Sequence, residues 1–331
     1  MDTPQVSETR TTFVMIACLI AGVAIGIASM TVIFPLAPTE LSRTGVLMYA
    51  LHHRSDAPPI VVLGNSVVMN GVDAHRLGTG NTAWNLSSTG QDLSEAMLIV
   101  DALPRSVHTV AIGISPDTLL HREIAMPPNK YVGYVMAGYS PSPDALAVAK
   151  RLHDQTLYEL LRTNRVRVVM WSRWVVRAMA DLIARRFIRK DLDLERARTD
   201  LYFPAPYTQP VSAASLEHLV AANYSDYRQR FVAQPDPAAL LKGIKDLAAS
   251  RGKRVVFFVT PEHPQRRLRS SAEFYAGFAQ WENNARAEGL DIADFHDALE
   301  AADFVDHIHP GGHGTIRLTE LLDLNLKHAG S

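Results

Sequence analysis

Short unbroken apolar runs, separated by longer segments of mixed polarity, set the rhythm of this chain. Ile60–Leu63 is β-branched and apolar with no polar alternation, the pattern of a strand covered on both faces of a parallel sheet. Runs at Thr82–Leu86, Thr109–Ile114, Arg254–Val259 and Leu290–Ala293 predict four more strands. The intervals carry helix signals. Asp92 is placed to cap a helix running through Ala96, Ile99 and Val100 to Leu103, with Pro104 just beyond. Helices over Pro237–Ser250 and 271–288 stop at Gly252 and Gly289, and a last helix runs from about Gly314 to His328. Strands alternating with helices predict a three-layer, doubly wound α/β domain on a parallel sheet, spanning residues 58–330.

Two regions break this rhythm. From Phe13 to Phe34 lie 22 residues with no ionisable side chain except the thiol of Cys18. That length suits a helix crossing the hydrocarbon core and exceeds the ~7–15 apolar residues of a cleaved signal. The expectation is a leader at 1–11, an uncleaved anchor at 12–35 held by membrane lipid, and a connector at 36–57 with a short helical stretch near Leu47–Leu51. The second region is a helical insertion at about 121–236. Tyr131, Tyr134 and Tyr139 surround a turn region there, and a long helical stretch follows from Pro143 to about Arg198. Between Arg162 and Lys190 nine basic side chains face one acid, Asp181, interleaved with Trp171, Trp174 and Phe187. Such a segment suits an anionic membrane surface, a membrane partner or an anionic polymer, and equally an ordinary solvated basic face.

Composition narrows the classes. With 331 residues, 47% of them hydrophobic, the chain is long enough for one sizeable α/β core plus an insertion. A formal net charge of −1 offers nothing global for nucleic acid, whose binding needs a concentrated basic surface. The single cysteine excludes an internal disulfide.

Candidate chemistry gathers at two distant places. Gly64-Asn65-Ser66 directly follows the first strand, so the Ser66 hydroxyl is placed at the carboxyl end of a sheet strand, where open α/β sheets bind ligands. Near the other terminus, Asp306 and His309 lie three residues apart. A hydroxyl nucleophile needs a base, and the base needs a carboxylate to hold its tautomer; His309 and Asp306 suit those roles. His307, His309 and His313 near acidic residues are also compatible with a metal site, although no His-Glu-x-x-His helix is present. Gly90 closes the second predicted strand with a backbone N–H that no side chain blocks, as an oxyanion donor requires. Ser115 follows the third, where a helix cap is its commonest role. Asn65, Asn85, Glu262, His263 and Asp294 lie at the same strand ends, as substrate contacts or as supports of the site.

Taken together, Gly64-Asn65-Ser66, Asn85-Leu-Ser-Ser-Thr-Gly90 and Asp306-x-x-His309 resemble the nucleophile, glycine and terminal catalytic blocks of the SGNH, or GDSL-like, hydrolase superfamily. The likeness covers roughly residues 58–120 and 253–328. It implies a flavodoxin-like strand order and a Ser66–His309–Asp306 triad. It also implies an oxyanion hole from the N–H groups of Ser66 and Gly90 with Ser115, and no metal or organic cofactor. Asn65 stands where the family has Asp. Gly113-Ile-Ser115 stands where the family usually has Gly-x-Asn, and losing one such donor costs ~10²–10³ in turnover. More narrowly, the chain resembles the membrane-anchored branch that includes proteins of alginate O-acetylation and teichoic-acid D-alanylation. That branch implies a domain outside the cytoplasmic membrane, a polysaccharide substrate, a membrane acyltransferase as donor of the acyl group, and O-acetyltransferase or esterase activity. A non-catalytic envelope protein of the same fold, holding a polysaccharide or a membrane acyltransferase, is the alternative.

Overall fold

The computed structural model describes residues 13–18, 20–22, 24, 40–54, 56–78, 82–120, 126, 128–163, 200–223 and 226–328. Five strands, β1 (Ile60–Leu63), β2 (Ala83–Asn85), β3 (Thr109–Ile114), β4 (Arg254–Val259) and β5 (Ile292–Asp294), form one sheet in the order β2-β1-β3-β4-β5. Every pairing is parallel. This is the flavodoxin-like order, in which the crevice opens beside β1 and β3.

The unalternated apolar runs have a direct cause. Val61, Leu63, Val110, Ile112, Val255 and Phe257 point into one buried cluster, while Val62, Ala111, Val256 and Phe258 point into another on the opposite face. Both faces are therefore dry. The second face is covered by α2 (Ser66–Gly71), through Val68, and by the C-terminal helix, through Leu318, Leu322 and Leu326. The first is covered by α1 (Glu40–His53), α3 (Leu93–Ala102), α5 (Pro128–Met136), α6 (Pro143–Lys150) and α9 (Pro235–Ala249), with α4 (Pro116–Leu120) following β3 and α7 (Thr156–Arg162) and α8 (Ala213–Asn223) lying between. α10 (Pro264–Arg269) follows β4, α11 (Ala272–Ala287) precedes β5, and α12 (His313–His328) is the C-terminal helix. Asp92 caps α3 as the sequence predicts, and Glu95 completes a capping box with it.

Two expectations change. Residues 36–57 are more than a connector, because Glu40–His53 is a full helix whose Leu47, Met48, Ala50 and Leu51 are buried in the core. The long helix from Pro143 stops at Lys150. There Asp236 accepts hydrogen bonds from the backbone of His153 (2.7 Å) and Asp154 (2.8 Å), fixing a turn before α7. Tyr131, Tyr134 and Tyr139, beside the turn region expected there, are buried in the core. The basic segment lies outside the described residues beyond Thr163. Of the apolar run at 13–34, residues 13–18, 20–22 and 24 are described and helical; among the described residues, no helix is long and apolar enough to cross a membrane.

Candidate active site

Ser66 is the first residue of α2, immediately past β1. Gly64 makes the turn at φ 153°, and a Cβ there would sit 2.4 Å from Val68 Cγ2, so only glycine lets α2 come this close to the strand. Asn65 is the N-cap, its Oδ1 accepting from Val67 N–H at 3.0 Å. That is the local hydrogen-bonding role its sequence position suggests.

Asp306 and His309 share a loop closed by the Val305 N–H on the His309 carbonyl (2.9 Å). Asp306 Oδ1 accepts from the N–H groups of Ile308 (2.9 Å) and His309 (2.8 Å), and Oδ2 lies 2.7 Å from His309 Nδ1. Burial works to raise the Asp306 carboxyl, but the His309 hydrogen bond and the two backbone donors outweigh it and hold the value at about 2. A carboxylate only accepts, so Nδ1 carries the proton and Nε2 is the acceptor. Ser66 Oγ lies 2.9 Å from that Nε2, across 243 positions of sequence. The arrangement can take a proton from the hydroxyl and stabilise the imidazolium that results.

Two further residues hold this geometry. The Tyr207 ring stacks on the His309 imidazole, with centroids 4.0 Å apart and planes at 21°. Asn70 is buried. Its Nδ2 donates to the carbonyls of Tyr207 (2.8 Å) and Pro310 (2.5 Å), and its Oδ1 accepts from Tyr207 N–H (2.9 Å). One amide thus ties α2 to both the stacked tyrosine and the histidine loop. Asn70 sits four residues after Ser66 on the same helix face, a spacing readable from sequence. Tyr207 carries no such signal, because its segment is irregular.

The other candidates are distributed unevenly. The turn carrying Gly90 is hung from the Gly64–Ser66 turn: Ser88 N–H donates to the Gly64 carbonyl (3.1 Å), and Gly64 N–H donates to Gln91 Oε1 (2.6 Å). Ser115 follows β3, and its hydroxyl lies 3.1 Å from Thr118 Oγ1, which also accepts from the Ser115 N–H at 3.2 Å. Asn85 is fully buried, its amide donating to the Val68 (3.2 Å) and Val72 (2.8 Å) carbonyls, so it supports α2 from behind instead of meeting substrate. Glu262 is buried beside Tyr275 Oη (2.7 Å) and Arg266 Nε (3.4 Å), and burial raises its carboxyl above the usual range. His263 caps α10, accepting from Gln265 N–H at 3.2 Å; burial, aided by Arg267 and His307, lowers its proton affinity. Asp294 faces His296 Nδ1 at 2.9 Å, with no contact to the serine. His313 turns to Asp303 (3.0 Å), and among the described residues no group of three or more His, Cys, Asp or Glu side chains could hold a metal ion. No protein-family model matches the chain, and no curated protein matches it either.

Proposed function

We propose that this chain is a serine acyl-transfer enzyme of SGNH type. In this reading its N-terminal helix is held in the cytoplasmic membrane, and its domain acts on the extracytoplasmic side on an envelope or exported polysaccharide. Ser66 Oγ attacks the carbonyl carbon of an acyl ester while its proton passes to His309 Nε2. The oxyanion forms against the N–H groups of Ser66 and Gly90, and His309 then returns the proton to the departing alcohol. Water as the second nucleophile makes the protein an esterase; a sugar hydroxyl makes it an O-acyltransferase, with acetyl as the transferred group and a membrane acyltransferase as donor. No metal or organic cofactor takes part in these steps. What carries the reading is the continuous line from Asp306 through His309 to Ser66, 2.7 and 2.9 Å long. The 22-residue apolar run supports the membrane placement.

A second reading, a non-catalytic protein that binds a polysaccharide or a membrane acyltransferase, draws on one observation. The Ser115 hydroxyl is paired with Thr118, where a third oxyanion donor belongs. Labelling of the full-length chain by a serine-directed fluorophosphonate separates the two. The wild type is expected to label at Ser66, Ser66→Ala not at all, and His309→Ala at least ~10³-fold more slowly. Folded wild-type protein that fails to label, or labels no faster than His309→Ala, supports the binding role instead.

A further inference from the structure

The turn that carries Gly90 is gripped from behind by a buried cation. Gln91 N–H closes the turn on the Ser88 carbonyl at 3.0 Å, and Gly90 takes the third position with φ 61°, a left-handed conformation that favours glycine. Thr89 leans over α2, its hydroxyl 3.9 Å from the sulfur of Met69, one helical turn along from Ser66. From the protein interior, Lys130 of α5 brings Nζ to 2.7 Å from the Gly90 carbonyl and 3.3 Å from that of Thr89. Its counter-ion is Glu95, fully buried, at 2.8 Å, and Tyr134 Oη donates to the other Glu95 oxygen at 3.3 Å.

Peptide geometry turns this grip into a direction. The Thr89–Gly90 bond is trans, so the Gly90 N–H points opposite to the Thr89 carbonyl. An ammonium drawing that carbonyl inward presents the N–H outward, on the exposed side of the turn. A buried ion pair is seldom the most stable filling for such a space. The two carbonyls give this one a purpose beyond stability.

We propose that Lys130, with Glu95 as its counter-ion, is a positioning residue that aims the Gly90 N–H at the oxyanion site beside Ser66. The inference rests on the acyl-transfer reading. It also gives the helical insertion, which supplies α5, a part in the chemistry: the insertion adds a grip on the Thr89 and Gly90 carbonyls to the backbone ties at Ser88 and Gln91.

Fluorophosphonate kinetics on the full chain test it. In that reaction the Ser66 Oγ–P bond forms, the P–F bond breaks, fluoride leaves and the serine proton goes to His309, while charge gathers on the phosphoryl oxygen. The double variant Lys130→Met/Glu95→Gln removes both charges together, and glutamine preserves the capping box. Its maximal labelling rate is expected to fall at least ~10-fold, short of the ~10²–10³ for outright loss of a donor. Probe binding and the pH midpoint of labelling should stay unchanged, because His309 and Asp306 are untouched. Lys130→Arg, which keeps a cation, should recover most of the rate. A folded double variant that labels within about 2-fold of wild type overturns the proposal. So does a loss seated in probe binding or accompanied by a shifted pH midpoint. Should the double variant not fold, Lys130→Gln alone carries the same test, since Glu95, already pushed up to about 7 by burial against the pull of Lys130, can protonate. Wild type that does not label sinks the acyl-transfer reading itself; wild type that labels beside an equally reactive variant sinks this inference alone.

Discussion

Two carboxylate–imidazole contacts of nearly equal length are present, one in the loop before the C-terminal helix and one at the carboxyl end of β5. Asp306 meets His309 Nδ1 at 2.7 Å, and Asp294 meets His296 Nδ1 at 2.9 Å through either oxygen. What surrounds the remainder of each ring differs. His309 is buried against Tyr207 and presents Nε2 to Ser66, whereas His296 has a side chain 26% exposed and lies against Tyr275, centroids 5.5 Å apart. The Asp294 hydrogen bond raises the proton affinity of His296, as any neighbouring carboxylate would. A carboxylate beside an imidazole is therefore no evidence of a base by itself. The informative feature is the third group, delivered from a distant strand to the far nitrogen.

Neutralising each carboxylate in turn should separate the two pairs most strongly. Asp306→Asn offers Nδ1 an amide donor, favours the tautomer with the proton on Nε2, and should slow labelling of Ser66 by roughly 10⁴-fold. Asp294→Asn should leave the rate within about 2-fold and lower the proton affinity of His296, as followed by NMR titration. Equal losses would erase the distinction between the two pairs.

A smaller effect is expected from the brace. Asn70→Ala strips partners from the Tyr207 N–H and from two carbonyls, at a cost of about 3 kcal/mol in urea unfolding. The His296 titration should not move, since Asn70 touches only the His309 side. An unfolding midpoint equal to wild type would mean that the clamp contributes little.

The smallest effect is pH-dependent. Asp306 is held at about 2 in the folded chain against ~3.9 in an unfolded one, so the unfolded chain takes up the proton first as acid is added. Its stabilising contribution is complete above about pH 4 and lost as pH falls through about 2, on the order of 1–2 kcal/mol. The difference in unfolding free energy between wild type and Asp306→Asn should shrink across that window. A difference that stays constant there would show that the carboxylate is not held low.

Much of this was legible in local pattern. β3 at Thr109–Ile114 and β4 at Arg254–Val259 fall where their apolar runs predict, and Asp92 caps its helix, because strand and cap signals act within a few residues. Asp306 and His309 also find each other locally, being three positions apart. The core role of α1 was less legible, since Glu40–His53 mixes polar and apolar residues and its burial depends on what packs against it. Ser115 shows the opposite limit: its contact with the Thr118 hydroxyl depends on how the chain turns after β3, which no strand or cap signal specifies.

Local residue pattern alone was enough for the strands, the helix stops before Gly252 and Gly289, the Gly64–Ser66 turn and the carboxylate–histidine step, because each depends on chain connectivity over one or two turns. Only the tertiary structure brought Ser66 to His309, laid Tyr207 on the imidazole, and set Lys130 behind Gly90. Those contacts join segments from 40 to 243 positions apart. Strand order and the packing of helices on each face decide them, and no local run of residues encodes either.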